Sequence, residues 1–195
     1  MNERGDRPAV VILAAGLSER IGKPKHELRF SEESTFLEHI IRVYQKFVAS
    51  QIVLVINDRD DFGRYFYEDD LKIIVNKNPE LGRFHSIQLG LKEINDAPVF
   101  IQNIDNPFVS PGLLMILEKG IEDADFAVPV NERKGGHPIL LSKTIVSNLV
   151  EDFNKEEKLN NVLTHFIRKD VPMNDPYVLV NINTEEDYRK YFSGL

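Results

Sequence analysis

The chain contains no cysteine, which excludes disulfides, thiolate zinc sites and cysteine nucleophiles. No apolar run approaches the length of a membrane span. The opening residues, Met1-Asn2-Glu3-Arg4-Gly5-Asp6-Arg7, are polar and mixed in charge, without the apolar core of a signal peptide. The expected location is the cytoplasm, and no membrane partner is expected. Positive charge is the scarcer sign: 24 Lys and Arg against 31 Asp and Glu leave a net charge of −7. That balance argues against a general binder of nucleic acid or membrane surfaces. Linkers, internal repeats and low-complexity segments are missing too. With 195 residues, 42% of them apolar, the chain can bury a substantial core, so a single domain over residues 1–195 is expected. Two common phosphate motifs are absent: there is no G-x-x-x-x-G-K-[ST], and the spacing Gly16…Gly22 does not fit G-x-G-x-x-G. No serine–histidine–acid constellation can be argued from spacing either.

What is present is one organising stretch near the start, Val10-Val11-Ile12-Leu13-Ala14-Ala15-Gly16-Leu17-Ser18-Glu19-Arg20-Ile21-Gly22-Lys23-Pro24-Lys25. It opens as a buried-type strand. It then becomes a small-residue loop where backbone can approach a ligand closely. It ends among cations, with Arg20, Lys23, Lys25 and Arg29 set against Glu27 alone. In an acidic chain such a cluster, directly after a strand and a glycine turn, points to an anion. Backbone N–H groups from Ala15 to Ser18 suit phosphate oxygens. Arg20 suits a multidentate contact and Lys25 a point charge on a moving phosphate.

The rest of the chain alternates strands with helices. Strands are expected at Ala9–Leu13, Gln51–Ile56, Leu71–Val75, Val99–Gln102 and Phe126–Val130, an extended segment at Pro138–Leu141, and a last strand at Tyr177–Val180. A helix capped by Ser34 or Thr35 carries Phe36, Leu37, Ile40, Ile41, Tyr44, Phe47 and Val48 on one face, leaving His39 on the surface face. Further helices are expected at Ser86–Ile94, at Gly112–Lys119 behind Ser110-Pro111, at 143–151, at 157–167, and at Thr184–Tyr191 with Asp187 completing a capping box. Tyr65, Phe66 and Tyr67 suggest a short helix, and Glu68-Asp69-Asp70 a solvated turn. The alternation predicts an α/β fold: three layers, Rossmann-like, a mostly parallel sheet with helices on both faces. In such sheets ligands bind at the carboxyl ends of the strands.

Two carboxyl-end residues have the chemistry of hard-cation ligands. Asp105 follows the Val99–Gln102 strand, where Mg²⁺ would need one or two carboxylates plus phosphate oxygens and water. Asn181, in Val180-Asn181-Ile182-Asn183, offers a neutral amide oxygen. Both also have simpler readings, as a turn aspartate before Asn106-Pro107 and as a strand end before a capped helix.

Leu13-Ala14-Ala15-Gly16-x-Ser18-x-Arg20-x-Gly22-x-Pro24-Lys25 resembles the signature of the molybdenum-cofactor-type nucleotidyltransferases, which have guanylyltransferase and cytidylyltransferase branches. Asp105-x-Pro107-Phe108-Val109 resembles that family's metal-binding aspartate segment, and Asn181-Ile182-Asn183 its closing motif. Asn78-Pro79-x-x-Gly82-x-x-x-Ser86-x-x-x-Gly90 resembles the loop and helix near the nucleotide base. Gly135-Gly136-His137-Pro138 resembles a segment bordering the second substrate, with Arg133 and Lys134 placed to meet that substrate's phosphate.

The resemblance implies a nucleotide-diphospho-sugar transferase-like fold, acting as monomer or homodimer. It implies transfer of a nucleoside monophosphate from CTP or GTP to a phosphorylated small-molecule acceptor of molybdopterin type. Mg²⁺, or Mn²⁺, would sit on Asp105 and Asn181. Lys25 and Arg20 would act on the reacting phosphates, Leu13, Ala14, Ala15, Gly16, Ser18, Gly22, Asn78, Gly82 and Ser86 would bind nucleotide, and Gly136 and His137 would border the acceptor. The base is left divided: Ala15 and the Asn78–Gly90 stretch fit the cytidylyltransferase branch, Asn181 and Asn183 the guanylyltransferase branch. A sugar phosphate or another phosphorylated metabolite as acceptor stays open, as does a non-catalytic nucleotide- or cofactor-binding module of the same fold. Loss of Lys25 or Asp105 would mark the latter, and both are present.

Overall fold

The computed structural model describes residues 7–16, 21–59, 62–63, 71–151 and 158–194. Its centre is β1 (Ala9–Ala14), buried along its whole length. Period-two alternation sends Val10, Ile12 and Ala14 into one core and Ala9, Val11 and Leu13 into another. β4 (Ile52–Asn57) lies parallel to β1 on one side and β6 (Val99–Asn103) parallel on the other. β5 (Leu71–Asn76) extends the sheet beyond β4, in parallel. Beyond β6 lie β9 (Ile139–Leu141), β7 (Phe126–Asn131) and β10 (Arg168–Pro172), giving the order β10-β7-β9-β6-β1-β4-β5. β9 is antiparallel to both neighbours, and the two-residue β8 (Lys134–Gly135) forms a hairpin with β7. The sheet is therefore mostly parallel, as the alternation predicts.

Helices cover both faces. α1 (Phe36–Phe47) and α3 (Pro111–Gly120) contribute Phe36, Ile40, Tyr44, Leu114 and Leu117 to the first core. α2 (Gly82–Leu91) and α4 (Lys143–Glu151) contribute Ile87, Leu91, Ile145 and Leu149 to the second. Thr35 caps α1 through a complete capping box with Glu38. α2 can lie close on β1 because Gly90 faces it: an added Cβ would stand 2.4 Å from Val11 Cγ1. α5 (Leu159–Leu163) and α6 (Glu185–Phe192) complete the helices among the described residues, α6 with the Thr184–Asp187 capping box.

Some expectations need correction. Tyr177–Val180 is not a strand. Pro176–Leu179 is a 3₁₀ turn started by Asp175, whose side chain accepts from the Tyr177 N–H. The last strand is β10, whose Arg-Lys-Asp-Val-Pro sequence is charged because it is the sheet's edge. The helix expected over 157–167 shortens to α5, since the chain must extend again to enter β10. The short strand expected at Glu27–Phe30 lies at β2 (Arg29–Ser31), which forms a small hairpin with β3 (Ser34–Thr35) ahead of α1. His39 is half-buried, its ring stacked on Phe30 with centroids 3.6 Å apart, so it is no simple surface histidine. The helix expected around Tyr65, Phe66 and Tyr67, and the turn at Glu68-Asp69-Asp70, lie outside the described residues.

Candidate active site

Register brings the first two parts of the site together. Leu13 of β1 pairs with Asn103 of β6, and the Ile104 N–H donates to the Leu13 carbonyl over 3.1 Å. The loops leaving these strands therefore emerge side by side at their carboxyl ends. The third part arrives from the far end of the chain, where the Ile182 N–H donates to the Asp105 carbonyl over 2.8 Å.

A ladder of side-chain amides fixes this junction. Gln102 Nε2 donates to the carbonyls of Asn103 and Asn106, at 2.8 and 2.9 Å. Its Oε1 accepts from the hydroxyl of buried Tyr44 at 3.1 Å. Burial pushes the Tyr44 pKa well above its ordinary value, so that hydroxyl keeps its proton. Asn103 Nδ2 donates to Asn106 Oδ1 at 2.8 Å. Asn106 Nδ2 then donates to the Val180 carbonyl and to Asn181 Oδ1, at 2.9 and 2.7 Å. The Asn181 oxygen is thereby oriented, and its second lone pair is left for another partner.

Above this ladder Lys25 Nζ lies 3.2 Å from Asp105 Oδ2 and 2.7 Å from Asn183 Oδ1. Lys25 sits in the 3₁₀ turn Lys25–Glu27, beside buried His26, whose ring stacks on Phe62 at 4.0 Å. Asn183 is held from behind by the cap of α6, its N–H donating to Asp187 Oδ2 at 3.0 Å. The hydrogen bonds from Thr184 and Asn183 hold the Asp187 carboxyl below the usual carboxylate range.

These groups line a cavity of about 510 Å³. Of the residues expected to bind nucleotide, Leu13, Ala14, Ala15, Gly16, Gly82 and Ser86 stand on its wall, together with Lys25, Asp105, Asn181 and His137. Ser86 is buried inside α2, which begins at Gly82 and not at Ser86 as expected; its hydroxyl accepts from Asn76 Nδ2 at 2.9 Å. Asn78 and Gly22 are exposed and off the wall. The Asn78 N–H closes a turn on Asn76 Oδ1 at 2.9 Å, so Pro79 faces the cavity instead. Ser18 and Arg20 lie outside the described residues.

Gly136 is buried behind the cavity: an added Cβ would stand 2.2 Å from the Val178 carbonyl oxygen, so its role is close packing. His137, next to it, donates its N–H to that same carbonyl at 2.9 Å. Burial first, then the nearby Arg83 guanidinium, lower the His137 pKa to about 4 against the opposing pull of Asp105. Arg133 and Lys134 lie at the exposed β7–β8 turn, away from the cavity. The cation on the His137 side is Arg83, in the first turn of α2. Sequence reading passed over Arg83 because it occupies an unspecified position of the Asn78–Gly90 pattern.

Among the described residues no group of three or more His, Cys, Asp or Glu side chains could hold a metal. The donor set is one carboxylate, Asp105, with the amide oxygens of Asn181 and Asn183 close by. That set fits a hard cation held largely by substrate phosphates and water, as Mg²⁺ commonly is.

A mostly parallel sheet with its cavity at the strand ends, walled by a small-residue loop, a lysine and a carboxylate, defines a nucleotide-handling α/β protein. The MobA-like NTP transferase domain model matches residues 10–171, and the chain belongs to that family. It is a nucleotidyltransferase of MobA-like type. A relative named probable molybdenum cofactor guanylyltransferase, from Bacillus mycoides, is 29% identical over 192 residues, covering 92% of this chain and 93% of the relative. Another of that name, from Natranaerobius thermophilus, is 29% identical over 206 residues, covering 95% and 97%. The crystal structure of Rv0371c from Mycobacterium tuberculosis in complex with manganese superposes with a TM-score of 0.79 at 20% identity, covering 97% of this chain and 99% of that one, which bears on the fold. No helix among the described residues is long and apolar enough to cross a membrane.

Proposed function

We propose that the protein transfers GMP from GTP to a phosphorylated acceptor of molybdopterin type and releases pyrophosphate. The observation that carries this reading is the meeting of Lys25 and Asp105, 3.2 Å apart, where the loops after β1 and β6 converge. The guanine choice is supported by the names of the two relatives and by Asn181 and Asn183 in the closing motif.

An acceptor phosphate oxygen attacks the α-phosphorus. A new P–O bond forms, and the bond to the bridging oxygen breaks, its electron pair leaving on pyrophosphate. The Ala14–Gly16 backbone receives the triphosphate, with Arg20 on the β- and γ-phosphates. Lys25 neutralises charge that builds on the α-phosphate and the bridging oxygen. Asp105 and Asn183 hold its ammonium in place beforehand, so little reorganisation is needed at the moment of reaction. Asp105 and Asn181 would hold Mg²⁺, which when bound supplies Lewis-acid stabilisation of the phosphoryl oxygens. The rest is alignment of two substrates in one cavity.

Ala15 favours a second reading with CTP, since the guanylyltransferase branch tends to have glycine there. Pyrophosphate release with each of the four triphosphates, Mg²⁺, and either a molybdopterin-type pterin phosphate or a sugar phosphate tests both readings. Release with GTP and the pterin phosphate is expected. Release with CTP alone would move the base to the second reading, sugar phosphate alone as acceptor would replace the pterin, and no release in any combination would favour a binding module.

A further inference from the structure

The cavity must take two anions, a triphosphate and the acceptor's own phosphate. Among the described residues its wall carries two cations, Lys25 and Arg83. Lys25 is tied to Asp105 and Asn183 at the junction of the β1 and β6 loops. Arg83 lines the same cavity from the start of α2, near enough to His137 for its charge to act there.

We propose that Arg83 is the residue that binds the acceptor's phosphate monoester and sets its attacking oxygen against the α-phosphorus. The inference rests on the nucleotidyltransferase reading above. Three observations carry it. First, the Arg83 side chain makes no hydrogen bond or direct ion pair among the described residues, so its five N–H donors are uncommitted. Second, Arg83 is exposed and stands on the cavity wall, so a ligand entering the cavity can reach its guanidinium. A guanidinium stays charged there and carries its donors in a fixed planar fork suited to a phosphate. Third, it lines the same cavity as Asp105 and His137, and its charge acts on His137.

The geometry also explains why this position is arginine. Two phosphate groups brought together repel, and each needs its own counter-charge. A planar fork presents two parallel donors to a terminal phosphate and fixes its rotation, which an ammonium does not. His137 beside it stays neutral, so it adds shape and a hydrogen-bonding group to that end of the cavity without adding a charge. Arg133 and Lys134, at the exposed β7–β8 turn, do not stand on the cavity wall.

The test uses inorganic phosphate as the probe. It is titrated by ³¹P NMR against the Mg²⁺-loaded full chain, with and without a GTP or CTP analogue whose α–β bridge is non-hydrolysable. Wild type, R83Q and R83K are compared, with thermal unfolding confirming that each variant folds. Charged hydrogen bonds of this kind are worth roughly tenfold to hundredfold in affinity. R83Q is expected to weaken phosphate binding by about that factor, R83K less, and both to leave analogue affinity within about twofold. Turnover assays of R83Q should show KM for the acceptor raised and KM for the triphosphate unchanged. Equal phosphate binding by wild type and R83Q overturns the proposal. So does loss of analogue binding with phosphate binding intact, which would assign Arg83 to the nucleotide. Failure of wild type to bind either analogue counts against the nucleotidyltransferase reading, and the nucleotide-free phosphate titration then decides Arg83 by itself.

Discussion

Lys25 Nζ and Asp105 Oδ2 lie 3.2 Å apart across 80 residues of sequence, and that contact joins the loop after β1 to the loop after β6. Neither side chain is sealed from solvent, at 14% and 22% exposure, so both stay open to a substrate or an ion while in contact. Removing one preorganised donor of this kind typically costs about 10²–10³ in rate. K25A is expected to lose activity by that order while its unfolding midpoint stays near that of wild type. Steady-state kinetics beside a thermal melt check it, and near-full turnover would remove Lys25 from the chemistry.

Asn106 is 5% exposed and satisfies three partners at once: Asn103, the Val180 carbonyl and Asn181. N106A leaves buried polar groups unpaired and should cost about 1–3 kcal/mol. N106D should cost at least as much, because it turns a carboxylate oxygen toward two acceptors. Urea unfolding of both variants measures this. A variant as stable as wild type would mean that the ladder does not hold the 180–183 segment.

Gly136 packs against the Val178 backbone with no room for a methyl group. G136A should destabilise by about 1–3 kcal/mol or more, since the clash is with a carbonyl oxygen and not with a flexible side chain. Neutral behaviour in the same unfolding assay would contradict this packing role.

His137 should titrate near pH 4 in the folded protein, read from its ring C–H resonances. The sign follows from linkage. A histidine whose folded pKa is lowered binds its proton more weakly than in the unfolded chain. It imposes no penalty above pH 6.5, and a growing one as pH falls from there toward 4. R83Q removes one of the causes and should move the midpoint upward. A midpoint near the free histidine value in wild type would show His137 to be solvated.

Much of the cavity wall was legible because its parts are short and contiguous. The strand-to-loop stretch Leu13–Gly16 leading to Lys25, and the segment around Asp105, each carry their signal within a few residues. Strand ends are also where an α/β sheet collects its ligand groups. What escaped depends on distance or on context. The ladder Tyr44–Gln102–Asn106–Asn181 unites four separate elements, and no local pattern marks a glutamine as buried and fully paired. Asn76, which orients Ser86, reads as an ordinary strand end. Arg83 shows its relevance only once α2 is laid over the strand ends. β10 was missed because an edge strand is charged and broken by proline, the reverse of the apolar run that betrays a central strand. Tyr177–Val180 was misread for the opposite reason. Its apolar residues serve side-chain packing, Tyr177 tilted against Phe108 with ring centroids 4.9 Å apart and Val178 in the first core, and not a ladder of backbone hydrogen bonds.

The central claim is that a nucleoside monophosphate, and not a terminal phosphate, moves within the cavity that Lys25 and Asp105 share. The most direct measurement follows label from GTP in the presence of Mg²⁺ and a molybdopterin-type pterin phosphate. With label on the α-phosphorus, wild type should carry it into an acceptor adduct and release unlabelled pyrophosphate, while K25A and D105N should fail to do so. Label entering the acceptor from the γ-phosphorus, or an α-label transferred equally well by K25A and D105N, would contradict the account.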